Sequence, residues 1–325
     1  MGSGGVTRVA LLPAGPDPFL LAYWFRNYRR VWASEVDELH VLVCGQADPA
    51  AKRYIVEQAG DAKVTFHTKR LDHGMAIALL MEQTTAEYVV LLEDDAYVRN
   101  VGAVAERFRR LEAGLDVIGG PRGSASSEII EAAETRFGGP WFADTGEAGH
   151  ALWPCFLFAR RAVLLDTDRR YGARQWAPGE MVEGLNLTAG ADLSADTFAS
   201  TTYQLRANGA RIEAEGQYRV TNTSQMSEWI TNAPWFHVGS LSSGYGYVIA
   251  DDSGGTAIRD AQGSDWARRA SWWERFARTA DALPDHLTHY RAEIATFIER
   301  SGLSRSDIDA WDQAYQGWIT WQETP

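Results

Sequence analysis

Short apolar runs without polar alternation recur along the first third of the chain, and between them apolar residues fall three or four positions apart. The first pattern suits a strand covered on both faces, the second an amphipathic helix. Thr7-Arg-Val-Ala-Leu-Leu-Pro13 reads as a first strand, stopped by the loop from Pro13 to Pro18, whose prolines supply no ladder donor. Phe19 to Trp32 follows as a helix, with Arg26, Arg29 and Arg30 on a separate face. Glu38 to Cys44 is a second strand ended by Gly45, and Pro49 to Gly60 a helix closed by glycine. Lys63 to His67 is a third, more alternating strand, and Gly74 to Gln83 a helix. This alternation predicts an α/β fold whose mostly parallel, right-handed central sheet carries helices on both faces.

The fourth strand organises the rest. Tyr88-Val-Val-Leu-Leu-Glu93-Asp94-Asp95 is a buried-strand pattern that ends in three acids. Ligands of open α/β sheets gather at the carboxyl ends of the strands, so the acids fall where a ligand sits. Adjacent like charges repel, and a divalent cation shared with phosphate oxygens holds them together. The plain alternative is a solvated Asp-Asp turn before the helix expected from Gly102 to Leu111.

Further along, Leu115 to Gly120 reads as a fifth strand and Pro121 to Ser127 as a Gly/Ser-rich loop. Leu152 to Phe158 reads as another apolar strand, and Arg160 to Leu165 as a short helix. Tyr171 to Leu193 has the look of a long irregular surface loop, a frequent seat of function. Asp196-Thr-Phe198 opens a helix that Asn208-Gly209 stops, and Ala210-Arg-Ile212 starts a strand. Trp235-Phe-His237-Val-Gly239 sets an imidazole between aromatic residues and a Gly/Ser loop, at a pocket edge or simply in the core. From about residue 256 the composition shifts to helices bearing Trp266, Arg268, Arg269, Trp272, Trp273, Arg275 and Arg278.

Composition narrows the function classes. At 325 residues and 45% hydrophobic, the chain can bury a large core. No apolar run reaches bilayer length and the amino terminus shows no secretory signal, which points to the cytoplasm. Cys44 and Cys155 lie in apolar strand-like contexts that suit reduced core thiols. A net charge of -12 argues against a general polyanion-binding surface, while one local basic groove stays compatible with it. Neither a Walker phosphate loop nor a Gly-x-Gly-x-x-Gly follows the first strand, so any nucleotide is held in another way.

Taken together, the early strands, the acids ending the fourth of them and the late histidine resemble the GT-A glycosyltransferases, with Glu93-Asp94-Asp95 in place of the family's Asp-x-Asp. The resemblance spans roughly residues 7 to 245. It implies a transferase domain over 1–255, with a donor half to about 120 and an acceptor half from 121, and leaves 256–325 as a helical C-terminal extension. It also implies Mn²⁺ or Mg²⁺ held by Asp95, Glu93 and His237. The nucleotide-diphosphate sugar, a UDP-sugar first, would lie against Pro13, Ala14, Gly15, His73, Gly74, Glu93 and Asp94. An inverting enzyme needs a base for the acceptor hydroxyl. Asp196, upstream of Leu205-Arg-Ala-Asn-Gly209, fits that position, with Asp192 in reserve, and a retaining enzyme would need neither. A helix cap is the structural alternative for Asp196.

The acceptor stays open between a small molecule, a cell-surface glycan or glycolipid, a protein and DNA. The segments around Trp176 to Phe198 and Trp235 to Ser240 resemble bacteriophage transferases that glycosylate hydroxymethylated pyrimidines, which would place the protein in a host cytoplasm. A DNA acceptor calls for a basic groove, for which the arginines of 107–110 and 268–278 are the candidates. A sugar-phosphate nucleotidyltransferase and an inactive nucleotide-sugar-binding module are the readings from other classes.

Overall fold

The computed structural model describes residues 7–237 apart from 17, 46, 48, 99, 123–124, 143–147, 216–217 and 220–233. The expected helical extension over 256–325 and the Gly/Ser loop after His237 lie outside the described residues.

The first half follows the apolar runs closely. Strands β1 (Arg8–Ala14), β2 (Glu38–Cys44), β3 (Lys63–His67) and β4 (Tyr88–Leu91) pair in parallel in the order β3-β2-β1-β4. Three helices make the crossovers: α1 (Pro18–Val31), α2 (Pro49–Ala59) and α3 (His73–Glu82). Successive strand residues face opposite ways, and the core divides accordingly. Ala10, Leu12, Val41, Val43 and Val90 pack with Trp24 and Phe25 of α1 and Ile55 of α2. Val9, Leu11, Leu42, Val89 and Leu91 pack with Ile77, Leu80 and Met81 of α3. Both faces of the sheet are therefore covered at β1, β2 and β4, which is why these strands show no alternation, while the edge strand β3 stays partly exposed.

After β4 the chain leaves the sheet for a short strand, β5 (Ala96–Val98), that sequence patterning does not announce. The side chain of Asn27 on α1 pairs with both the amide and the carbonyl of Val98, as a strand edge would. Helix α4 (Ala103–Glu112) follows, and the buried Glu35 carboxylate accepts from the Gly102 and Ala105 amides at its start. Amides exposed at a helix N-terminus are a natural partner for a carboxylate. Then come β6 (Val117–Gly119), β7 (Pro121–Arg122), α5 (Ser127–Phe137), a hairpin of β8 (Trp141–Phe142) and β9 (Ala148–Gly149), and β10 (Ala151–Leu152), which pairs with β7.

Three expectations for this half change. The apolar run Leu152 to Phe158 is two strands: β10 ends at Leu152 and β11 is Leu157–Arg160. Pro154 cannot donate to a ladder, and Phe156 turns the chain through a left-handed conformation (φ 49°). Part of the expected Gly/Ser loop is strand β7 and the start of α5, a helix signalled by Glu128 in its first turn and Ile129 and Ala133 on its buried side. Finally, after α6 (Arg161–Leu165), the supposed surface loop is a pair of ladders: β12 (Arg174–Trp176) with β15 (Leu193–Ala195), and β13 (Met181–Val182) with β14 (Leu187–Thr188). Trp176, Val182, Leu185 and Leu193 form a third core cluster with Ile129 and Tyr203.

Helix α7 (Ala199–Ala207) leads into β16 (Ile212–Ala214). Strand β11 lies between β4 and β6 and antiparallel to both, so the seven-stranded sheet runs β16-β6-β11-β4-β1-β2-β3. Two further strands, β17 (Tyr218–Arg219) and β18 (Trp235–His237), complete a small sheet with β5.

Candidate active site

The carboxyl ends of β1 and β4 meet at the acidic triplet. The Leu92 amide still bonds to Leu11 at 3.1 Å, and the next three residues turn away from the sheet. Asp94 and Asp95 are each only 2% exposed, an expensive placement for carboxylates unless something compensates their charge. Part of the answer is the loop after β1, where the Gly15 amide donates to Asp94 Oδ2 at 2.9 Å. Of the expected nucleotide-loop residues, Gly15 reaches the acids. Pro13 and Ala14 end β1 in register with Leu42 and Val43. Pro13 is tolerated because it lies beyond the last β1–β4 pair, Leu11 with Leu91.

His73 and Gly74 begin α3, whose cap is Asp72 accepting from the Met75 amide. The imidazole Nδ1 stands 3.7 Å from Glu93 Oε1. Glycine at 74 is a steric requirement: a Cβ there would lie 1.8 Å from the Gly172 amide nitrogen. The Tyr171–Gly172 backbone thus presses on the α3 start, and the Phe198 amide bonds to the Tyr171 carbonyl at 2.8 Å. The segment before α7 is tied to α3 in this way.

On the other wall Trp153 Nε1 donates to Glu93 Oε1 at 2.9 Å. The Arg122 guanidinium lies over the Trp153 ring, 4.0 Å from its centroid, and 3.5 Å from Asp196 Oδ2. Gly149 lets β9 close on this strand, since a Cβ there would come within 2.4 Å of the Arg122 backbone. Asp196 is therefore joined to the acidic triplet through two residues that sequence reasoning did not select. Arg122 sat in an unremarkable loop, and Trp153 was one of thirteen tryptophans.

Asp196 does not cap α7. The capping position belongs to Phe198, in a left-handed conformation and without a side-chain cap, while Asp196 Oδ1 accepts from its neighbour's amide, Thr197 N, at 2.7 Å. Asp192 is exposed and precedes β15, whereas Asp196 follows it. Strand rise separates the two by about 13 Å, so they cannot serve one reacting atom.

His237 ends β18, in register with Ala96 and so one residue from Asp95 along the partner strand. Its side chain lies outside the described residues. The strand itself is anchored by Trp235, fully buried, stacked on Phe156 at 5.2 Å and covered by Arg107. Among the described residues no three His, Cys, Asp or Glu side chains already converge as a metal cluster. The donor chemistry nevertheless fits a hard divalent ion: Glu93 and Asp95 supply carboxylate oxygens, and strand register brings a histidine alongside.

Neighbouring groups are quiet. Burial pushes the Cys44 thiol up to about 11, with the Asp94 charge adding to it, and both cysteines are buried thiols outside any disulfide, as expected. Arg107 and Arg110 pair with Glu106 and Glu215, and Arg110 also with Glu213, so these two of the expected groove arginines are committed to holding α4 against the β16 end. Among the described residues no helix is long and apolar enough to cross a membrane.

No family model and no curated protein sequence matches the chain. Solved structures do show similarity. A mycobacterial protein is 19% identical with a TM-score of 0.38, over 54% of this chain and 57% of that one. Glucosyl-3-phosphoglycerate synthase from Mycobacterium tuberculosis, solved with Mn²⁺ and uridine-diphosphate-glucose, is 18% identical with a TM-score of 0.38, over 50% of this chain and 59% of that one. The same synthase with phosphoglyceric acid gives 17% and 0.34, over 49% and 58%. The chain thus spans less than two thirds of the length of each of these three structures.

Proposed function

We propose that the chain is a metal-dependent glycosyltransferase of the GT-A kind, moving a sugar from a nucleotide diphosphate, UDP first among them, to an acceptor hydroxyl. The observation that carries this is the convergence of donor-side and acceptor-side groups at the carboxyl ends of β1 and β4: Gly15 on Asp94, His73 beside Glu93, and Trp153 and Arg122 leading from Glu93 to Asp196.

Asp95, Glu93 and His237 are the residues that would hold Mn²⁺ or Mg²⁺. When bound, such an ion neutralises charge growing on the departing diphosphate. The loop at Gly15 and the start of α3 at His73 and Gly74 flank the nucleotide. Asp196 takes the acceptor hydroxyl's proton in an inverting displacement, and its side chain, 37% exposed, can be reached by an acceptor. Asp192, exposed just before β15, is the reserve candidate for that base.

The test is a thermal-shift panel of UDP, GDP, CDP, dTDP and ADP sugars with and without Mn²⁺. Metal-dependent stabilisation by one nucleotide class is the expected result. No shift with any donor would move the assignment to a different chemistry. For the acceptor, Arg107 and Arg110 are already paired, so a DNA substrate would need its basic surface elsewhere. Turnover on hydroxymethylated DNA, falling steeply with salt, is the assay that would establish that substrate.

A further inference from the structure

We infer that Trp153 and Arg122 are positioning residues that set the donor-side carboxylate Glu93 and the acceptor-side carboxylate Asp196 in register with each other. The inference rests on the proposed transferase activity and assigns that site two residues outside its expected ligand set. Trp153 is 6% exposed, and its only polar atom, the indole N–H, is given to Glu93 at 2.9 Å. A buried indole N–H finds a partner as a rule, but here the partner is the first acid of the triplet, and the bond fixes which way that carboxylate faces.

The face of the same ring carries Arg122, 4.0 Å from its centroid. A guanidinium stacked on an indole keeps its plane while its N–H groups stay available at the edge, and one of them meets Asp196. Both residues stand on backbone with little freedom. Arg122 belongs to β7, paired with β10 through Ala151 and pressed by Gly149, and Trp153 directly follows β10 with its amide bonded to the Gly120 carbonyl at 2.9 Å. One rigid β7–β10 ladder therefore places both carboxylates, although they lie at opposite sides of the transferred sugar in the proposed reaction. Neither residue touches a reacting atom. Their effect is on where Glu93 and Asp196 stand.

The two ends predict different losses. Trp153→Phe keeps an aromatic ring under Arg122 while removing the N–H together with the second ring, so Mn²⁺ affinity, read by electron paramagnetic resonance titration without any donor, should fall about 10- to 100-fold, as for lost outer-shell partners of metal ligands. Trp153→Tyr is the second variant should the first unfold. Arg122→Gln should leave Mn²⁺ affinity and donor KM within about twofold and lower kcat by about 10-fold or more, with Arg122→Lys restoring most of it. Wild-type Mn²⁺ affinity in a folded Trp153→Phe protein would overturn the Glu93 half. A wild-type kcat in Arg122→Gln, or a melting temperature that drops in step with every kinetic constant, would overturn the Asp196 half. If the wild-type protein binds Mn²⁺ but transfers no sugar, the transferase assignment fails on its own, and the metal titration still decides the role of Trp153.

Discussion

The Gly15 amide donates to Asp94 Oδ2 at 2.9 Å, joining the end of the first strand to the acid-bearing end of the fourth. The middle acid is thereby bound to the backbone of the loop after β1, and in the proposed reading Glu93 and Asp95, on either side, are the metal ligands. That division of labour yields the first prediction. Asp95→Asn should remove metal-dependent turnover, a loss of about 100-fold or more in kcat/KM, while changing the melting temperature by no more than a few degrees. Kinetics with a Mn²⁺ titration, set beside a melting curve, checks both halves.

Asp196→Asn preserves the shape of the side chain and its bond from Thr197 while removing the proposed base. Transfer should fall about 100-fold or more with donor affinity unchanged, as measured by calorimetry against assay. Asp192→Asn, at the exposed far end of β15, should leave kcat within about twofold.

Gly74→Ala forces a methyl into the Gly172 backbone, where the nearest atom stands 1.8 Å from the new Cβ. A relaxation of that size costs about 2 kcal/mol or more. Chemical denaturation should show it, together with weakened nucleotide binding through displaced His73. Gly139→Ala, with nothing within 4 Å of its Cβ, is the control that should stay near wild type.

His150 predicts a pH dependence of stability. Burial lowers its pKa, and Arg206 adds to this while Glu134 opposes it. The folded protein therefore holds this proton less well than the unfolded chain does. Its contribution is intact above the unfolded value of about 6.5 and is lost as pH falls through that value toward the lower folded one. Melting curves from about pH 8 to pH 5 should decline, and His150→Gln should flatten part of that decline.

Where burial alone decides structure, the sequence was a good guide. The strands β1, β2 and β4 and the acids that follow β4 are legible because residues covered on both faces must be apolar and charges must wait for the strand's end. Leu152 to Phe158 misled because apolar content marks burial and does not distinguish a strand from the turn at Pro154 and Phe156 that carries Trp153 into the site. The ladders between Arg174 and Ala195 escaped because two- and three-residue strands are too short to display a period. The partners of Glu93 and Asp196 could not be read at all, since Arg122 and Trp153 acquire meaning only when β7 and β10 pair.

The antiparallel β11 wedged beside β4 has a consequence for biogenesis. While the ribosome has delivered only the first 120 or so residues, the acid-bearing strand has β1 on one flank and still awaits Leu157–Arg160 on the other. A bare strand edge of that kind invites pairing with a neighbouring chain. The flank of the acid-bearing strand is thus completed late, after the segment that also delivers Trp153.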